Sequence, residues 1–244
     1  MATSNNLGDL LTSIANAIRS KGGTTASINA QAFPSAIMNL PSGGETHETE
    51  DKFVTRQISG TYENSRVTTI GTCAFQYCES LTRVSCPQAT GIASSAFADC
   101  DRLVAVSVPN ATYIYNYAFQ YCYSLTSVSF PRVSWIGYYA FRRCSNLATI
   151  SFPNVTYIDS YAFYSCRDLR TISFPKVSLI SDSAFYGCST LSTAYFLTSS
   201  VPTLGSSAFY DCPSLTSIYV KSSLVTSFKT ATNWSSLSAK IVGM

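Results

Sequence analysis

Apolar residues recur along most of this chain with a period of 22 residues. In seven successive units, an Ala-Phe pair is followed three residues later by Cys and another three residues later by Leu. A fixed period in the twenties predicts a solenoid, in which each repeat is one coil that buries its apolar side by stacking on its neighbours. The phenylalanines that mark the units are Phe75, Phe97, Phe119, Phe141, Phe163, Phe185 and Phe209.

Each unit contains segments with different patterns. Residues 125–130 alternate apolar and polar side chains, as a short half-buried strand does, and Pro131 ends the strand because proline cannot donate to a ladder. Val133 and Ile136 then turn inward. The spacing of three in the Ala-Phe-x-x-Cys-x-x-Leu segment, here the Ala-Phe arc, favours a short helical or 3-10 turn. The sequence therefore predicts an α/β repeat solenoid with one continuous parallel β-sheet on one face and helical turns on the other.

These units resemble the BspA-like leucine-rich repeats, which carry the same Ile-(Gly)-x-x-Ala-Phe-x-x-Cys-x-x-Leu run. The clearest copy begins at Ile136, and the resemblance covers residues 54–244. It implies a right-handed solenoid, and the family's proteins are largely non-catalytic adhesins and surface-recognition modules. The departures are few: Cys86 and Val108 replace the strand phenylalanine, and Ala194 replaces a branched core residue.

The first 40 residues predict a small helical module. Leu10, Ile14 and Ile18 lie on one face of an amphipathic helix over residues 4–21, and a second short helix follows it. Forty residues hold too little core to be stable alone, so we expect residues 1–40 to dock on another protein or to form a homo-oligomer. Residues 10–37 resemble an N-terminal module of tail-associated phage and prophage proteins. The alternative is a helical hairpin with no particular role.

Composition sets the remaining domain boundaries. Residues 41–52 are typical of a flexible acidic linker, since turn formers precede acidic residues and no apolar residue occurs. Residues 53–67 lack the repeat unit and predict the N-terminal capping coil of a solenoid that spans residues 53–220. Residues 221–244 predict a C-terminal cap that resembles those of the same family.

Several classes of function are disfavoured by composition. The net charge of +3 is too small to indicate a nucleic-acid partner. The sequence has no stretch of 18 consecutive apolar residues, so we do not expect insertion into a membrane. The first residues lack the basic and apolar regions of a secretory signal peptide, so we expect assembly in a reducing cytoplasm. The single histidine, His47, lies in the acidic linker, where it activates no nucleophile. We therefore expect a protein that is not an enzyme and needs no cofactor.

Seven of the nine cysteines occupy one position of the coil. Their Cβ vectors should be parallel in neighbouring coils, which disfavours disulfides, and the absence of a CxxC pair disfavours a zinc site. We interpret them as a ladder of small buried thiols, with Cys73, which lies outside the ladder, as the accessible one. The ladder comprises Cys78, Cys100, Cys122, Cys144, Cys166, Cys188 and Cys212.

Tyrosine and hydroxyl side chains dominate the predicted surface. Outward strand positions are mostly Ser and Thr, with Tyr195 and Tyr219 in the last two coils. Tyr113, Trp135 and Tyr157 each precede the inward Ile, so they should form a column with the ~4.8 Å spacing of strands. Tyrosine with serine is typical of paratopes, and aromatic faces also suit sugar rings. The alternative is that the tyrosines lean across neighbouring coils and cover the core.

Two adjacent arginines add positive charge to this surface. Arg142 and Arg143 follow Phe141 directly in the Ala-Phe arc of the fourth unit, among tyrosines. Such a pair would attract an anionic glycopolymer. The alternative is an ordinary solvated face.

The combined expectation is a phage or prophage virion protein, assembled in the host cytoplasm and associated with the tail. Residues 1–40 would bind other virion proteins, and the solenoid would bind a host surface glycan or protein through the aromatic and arginine positions above. One alternative is a structural virion protein, such as a decoration or joining subunit. The other is a bacterial cell-surface adhesin.

Overall fold

The computed structural model describes residues 58–244. The predicted helical module with Leu10, Ile14 and Ile18, the acidic linker and the beginning of the predicted capping coil lie outside the described residues. The strands, in chain order, are β1 (Gly60–Glu63), β2 (Leu81–Ser85), β3 (Gly91–Ile92), β4 (Ala105–Ser107), β5 (Tyr113–Ile114), β6 (Ser127–Ser129), β7 (Trp135–Ile136), β8 (Thr149–Ser151), β9 (Tyr157–Ile158), β10 (Thr171–Ser173), β11 (Leu179–Ile180), β12 (Thr193–Phe196), β13 (Thr203–Leu204), β14 (Ser217–Val220) and β15 (Ile241–Gly243).

The first face of the solenoid is a parallel sheet, as the alternating segments predict. Equivalent residues of successive coils pair in register, for example Ser127 with Thr149 and Thr193 with Ser217. The prediction of one continuous sheet was wrong, because the hydrogen-bonded strands form three groups, β1-β2-β4, β6-β8 and β10-β12-β14-β15. Neighbouring groups still contact each other through β4 with β6 and β8 with β10.

A second parallel sheet, which the sequence did not predict, follows the first around each coil. Six strands of two residues each form it, in the order β13-β11-β9-β7-β5-β3. The last residue of each short strand points into the core. Ile114, Ile136 and Ile158 end three of these strands, and all three are fully buried. The coil therefore has two sheet faces and one face made of Ala-Phe arcs, here called the turn face.

The Ala-Phe arcs are consecutive turns closed by i→i+3 hydrogen bonds, such as that from the Gln120 N–H to the Tyr117 carbonyl at 3.0 Å, so they match the predicted 3-10 turns but do not continue into a helix. Two residues of each arc adopt the left-handed region, such as Tyr117 (φ 60°) and Tyr121 (φ 61°), and this interrupts any helix. Backbone N–H groups consequently point to the next coil, where Phe119 donates to the carbonyl of Ala140 at 2.7 Å and Tyr121 to that of Arg142 at 2.9 Å. These bonds make the turn face a third ladder between coils.

Stacked phenylalanines fill the centre of the solenoid. The seven arc phenylalanines lie ring over ring with centroids 5.0–5.3 Å apart and interplanar angles of 2–10°. A second set of phenylalanines, which directly follow strands of the first face and include Phe152 and Phe174, packs against the first set. The fixed period of the sequence thus places identical side chains on top of one another at the coil spacing.

The ladder cysteines lie in this core as buried thiols. From Cys100 onward, each Sγ donates a hydrogen bond to the backbone carbonyl of the arc phenylalanine in the preceding coil, at 2.9–3.2 Å. Burial raises the pKa of Cys122, Cys144, Cys166 and Cys188 well above the usual value, which keeps these thiols protonated. A small apolar residue with a weak donor therefore fits the position.

Residues 221–244 cover the last coil. A 3-10 turn (Ser222–Leu224), the helix α1 (Val225–Thr230) and a second 3-10 segment (Ser235–Lys240) lead into β15, which pairs with β14. Trp234 is fully buried, and its Nε1 donates to the carbonyl of Pro202 at 2.7 Å. Within residues 58–244, no helix combines the length and apolarity needed to cross a membrane.

Candidate binding surfaces

The predicted aromatic column is present on the second sheet. Tyr113 pairs with Trp135 and Trp135 pairs with Tyr157 in adjacent parallel strands, so the three residues occupy equivalent positions. All three side chains are half-buried. They are therefore accessible, but each also packs on the solenoid.

Tyr115 joins this column and changes its geometry. Its ring meets Tyr113 at 4.8 Å and 62°, and Trp135 at 5.1 Å and 80°, and the residue is 39% exposed. Tyr113, Tyr115 and Trp135, here called the aromatic trio, therefore form an edge-to-face cluster. The predicted column of Tyr113, Trp135 and Tyr157 did not include Tyr115. The signal for it was its position two residues after Tyr113, because side chains two residues apart in a strand lie on the same face.

A glycine creates the space for one ring of the trio. Gly91 pairs with Tyr113 in the second sheet, and a β-carbon at Gly91 would collide with the Tyr113 ring. The ring thus lies directly over the backbone of the second coil. At the other end of the column, the Ser181 hydroxyl contacts the Tyr157 hydroxyl at 3.4 Å, which links Tyr157 to the next coil.

Tyr195 and Tyr219 lie on the first sheet face, whereas the column of Tyr113, Trp135 and Tyr157 lies on the second sheet. They pair in β12 and β14, and their rings stack with centroids 5.1 Å apart and an interplanar angle of 15°. Further along this face is a shallow groove of about 430 Å³ over β4, β6 and β8, which the sequence did not predict. Five of its eleven lining residues carry a hydroxyl group, Ser107, Ser129 and Thr149 among them, and the other six are apolar.

Most of the other tyrosines form two stacked rows on the turn face. In one row, Tyr139 stacks on Tyr117 at 5.7 Å and on Tyr161 at 4.8 Å. In the other, Tyr186 stacks on Tyr164 at 5.1 Å and on Tyr210 at 5.2 Å. The tyrosines therefore lean on neighbouring coils, as the alternative interpretation expects, yet Tyr210 remains 62% exposed.

Arg142 and Arg143 lie on the turn face among these rings. The Arg142 guanidinium carbon is 4.7 Å from the ring centroid of Tyr139, 5.4 Å from that of Tyr121 and 5.8 Å from that of Tyr164. The guanidinium of Arg143, which is exposed, lies 5.9 Å from the Tyr121 ring. The predicted binding residues thus fall on three separate surfaces: the aromatic trio region, the Tyr195–Tyr219 pair and this arginine site.

No metal-binding group of three or more His, Cys, Asp or Glu residues occurs within residues 58–244. Asp99 and Asp101 approach each other on the turn face. Burial raises the pKa of both carboxyl groups, and the charge of Asp101 raises that of Asp99 further. His47 lies outside the described residues.

Comparison with known proteins gives a consistent family. The BspA type leucine-rich repeat region matches the chain in six copies, over residues 23–114, 50–154 and 112–238. The first of these ranges begins inside the segment that the sequence analysis assigned to the helical module. None of the comparisons supports the resemblance of that segment to phage tail proteins. Comparison with curated proteins gave no significant match.

Solved structures with the same repeats were also found. A Treponema pallidum leucine-rich repeat protein is 30% identical with a TM-score of 0.60, over 64% of this chain and 77% of that chain. A leucine-rich repeat protein of Bacteroides ovatus is 19% identical, with a TM-score of 0.39 over 66% of each chain. A leucine-rich cell surface protein of Faecalibacterium prausnitzii is 21% identical, with a TM-score of 0.44 over 78% of this chain and 64% of that chain. On the family match and the Treponema structure, this chain belongs to the BspA-type leucine-rich repeat family.

Proposed function

We propose that the solenoid is a non-enzymatic recognition module, which binds a glycan or protein on a cell surface through the aromatic trio. The observation that carries this proposal is the edge-to-face packing of Tyr113, Tyr115 and Trp135 on the second sheet. Aromatic clusters of this kind dominate the energetics of interfaces, because each ring contributes a large area with little conformational entropy.

The trio suits this role better than the stacked tyrosines do. In a stacked row, as in Tyr164, Tyr186 and Tyr210, each inner ring has both faces covered by parallel neighbours. In the trio the rings stand at 62° and 80°, so no parallel ring covers their faces. A sugar ring or an apolar side chain needs an aromatic surface that no parallel ring covers, and Tyr115, which is 39% exposed, offers the most accessible ring of the trio.

The biological setting is a further part of the proposal. A phage or prophage virion protein, with residues 1–40 attached to other tail components, is supported by the resemblance of residues 10–37 alone. A decoration or joining subunit is the structural alternative within the virion. A cell-surface adhesin is supported by family membership, since the family's proteins are largely adhesins. All three settings use the solenoid as a contact surface, and particle or cell fractionation of the producing bacterium would separate them.

A triple variant tests the contact surface. Tyr113→Ser, Tyr115→Ser and Trp135→Ser together should lower binding to a responsive bacterial strain or arrayed glycan at least tenfold, because each truncation of such a residue costs about 2 kcal/mol. A double variant, Tyr113→Phe with Tyr115→Phe, keeps the rings and should bind normally. Tyr123→Ser, which changes an exposed tyrosine of the turn face outside the stacked rows, is the matched control. Normal binding by a folded triple variant would refute the proposed site.

A further inference from the structure

Two guanidinium groups converge on one tyrosine of the turn face. The guanidinium carbons of Arg142 and Arg143 lie 5.4 Å and 5.9 Å from the ring centroid of Tyr121, within the range of cation–π contact. Tyr139 and Tyr164 hold Arg142 from other sides, at 4.7 Å and 5.8 Å. Arg142 is therefore fixed in position by rings, and a second cation lies close to it.

The positive charges are not neutralised by the described part of the chain. No carboxylate of residues 58–244 forms a salt bridge with either arginine. Burial raises the pKa of the neighbouring Tyr123, the charges of Asp99 and Asp101 raise it further, and the charge of Arg143 lowers it. The charges that act on the two carboxyl groups themselves come from other acidic side chains. An arginine paired with either carboxylate would lower its pKa, and instead both pKa values are raised.

The site also holds polar atoms without partners. Arg142 Nε and Gln120 Oε1 are enclosed and have no hydrogen-bond partner within the described residues. The two residues occupy equivalent positions of adjacent coils, each following an arc phenylalanine. A guanidinium packed on rings keeps its donors in its own plane, and this planar set matches the two oxygens of a carboxylate.

The tyrosine rows indicate the shape of the ligand. From Arg142, the row Tyr164, Tyr186 and Tyr210 extends toward the last coil with ring spacings of 5.1 Å and 5.2 Å. Stacked rings turn their edges outward, so such a row offers the same polar edge at every coil. An elongated polymer with regularly spaced hydroxyl groups can bind to this row of equally spaced tyrosines better than the irregular surface of a folded protein can.

We infer that Arg142, Arg143 and Tyr121 form a subsite for the carboxylate of an acidic sugar, with the polysaccharide chain continuing along the tyrosine row. This inference rests on the proposed recognition function and adds the chemical class of the ligand. The subsite uses no residue of the aromatic trio, so the two sites are tested separately.

The first test compares one polysaccharide with and without its charge. The full-length protein should bind polygalacturonate or alginate in calorimetric titration, with affinity that falls as salt rises. Methyl-esterified polygalacturonate, which keeps the backbone and loses the carboxylates, should bind at least tenfold more weakly. Equal affinity for the ester, equal affinity for poly-glutamate, or binding to neither acidic polysaccharide would overturn the inference.

The second test locates the subsite on the molecule. Arg142→Gln with Arg143→Gln should reduce the affinity for the acidic polysaccharide at least tenfold. The control, Arg83→Gln with Arg132→Gln, removes the same charge from exposed positions elsewhere and should bind normally. An equal loss in both variants would show unspecific charge attraction and refute the site.

Separate readouts distinguish this inference from the proposed function. If the arginine variant binds acidic polysaccharide normally while the aromatic trio variant loses cell binding, only the inference fails. If both lose binding in their own assays, both stand. Should the double arginine variant unfold, the exposed Arg143→Gln single variant decides: a loss of threefold or more supports the subsite, and unchanged affinity refutes it.

Discussion

Individual residues on the turn face adopt a backbone conformation that side chains with a β-carbon usually avoid. Tyr139 and Arg143 have φ values of 55° and 57°, and every coil contains two such residues at the same positions. The left-handed region costs about 1–2 kcal/mol per residue. The N–H groups of these residues donate to the next coil, as Tyr139 does to Ser160 and Arg143 to Tyr164, and these bonds offset part of that cost.

Gly187 provides a direct test of this conformation. It has φ 71° where the neighbouring coil has Ser165 with φ 56°. Gly187→Ala should reduce the free energy of unfolding by about 1 kcal/mol, because alanine would add the left-handed strain that glycine avoids. Denaturant titration measures the change. Ser165→Ala is the control, since serine already carries this strain, and an equal loss there would contradict the explanation.

The thiol ladder gives a second prediction, on reactivity and pH. A cysteine reacts as its thiolate, and an ordinary cysteine is substantially ionised above about pH 8.5. Burial raises the pKa of Cys144 and Cys166, so their thiolate fraction should stay negligible when the pH rises to about 9. A thiol reagent under native conditions should therefore spare the ladder and label Cys73, which is half-buried, first. Mass spectrometry that found rapid labelling of Cys144, or linked ladder cysteines, would contradict this.

Elements in this fold form by repetition more than by individual propensity. A strand of two residues, such as β5 or β7, would not be stable alone, but six of them pair in one sheet. The phenylalanine stack runs beneath them with the same period. Each element is therefore stabilised from the coil before it and the coil after it, and a change in a middle coil affects both neighbours.

Phe141 lies in the middle of the stack and is fully buried between Phe119 and Phe163. Phe141→Ala should cost about 3–5 kcal/mol, since it removes a large buried ring and leaves a cavity between two coils. Thermal and denaturant unfolding would measure the loss. Tyr123→Ala, on the exposed side of the preceding coil, should change stability by less than about 1 kcal/mol. A small effect of Phe141→Ala would mean that the coils collapse around the gap.

The sequence predicted the elements that a repeated residue type marks. It did not predict the features that depend on backbone conformation or on packing. The buried Phe, Cys, Leu and Ile positions and the column of Tyr113, Trp135 and Tyr157 followed from the period. The second sheet did not, because strands of two residues are too short to alternate. The left-handed turns were also missed, since Tyr, Ser, Asp and Arg stand where glycine or asparagine would signal them. The ring angles around Tyr115 depend on packing that no spacing reveals.

At the scale of the whole molecule, the described residues form a single continuous core. Buried apolar residues run without interruption from Tyr62, which packs on Phe75 at 5.0 Å, to Ile241 in β15. The first coil is paired through β1 with β2, and the last coil is covered by Trp234 and its neighbours. Binding surfaces on such a solenoid lie side by side on a rigid frame, so separate sites hold a fixed distance from one another.

This continuous core leads to a prediction about the first 50 residues. Deletion of residues 1–50 should leave a folded monomer, because the buried cluster of the described residues runs continuously from Tyr62 to Ile241. Circular dichroism, thermal unfolding and light scattering on the full-length and truncated proteins would establish this. If residues 1–40 are the attachment segment, the truncated protein should also fail to enter its particle or surface assembly, while it keeps its affinity for a glycan or cell ligand. Normal incorporation would instead identify the solenoid as the docking surface and favour a structural role, and an unfolded product would show that the repeats depend on the N-terminal residues.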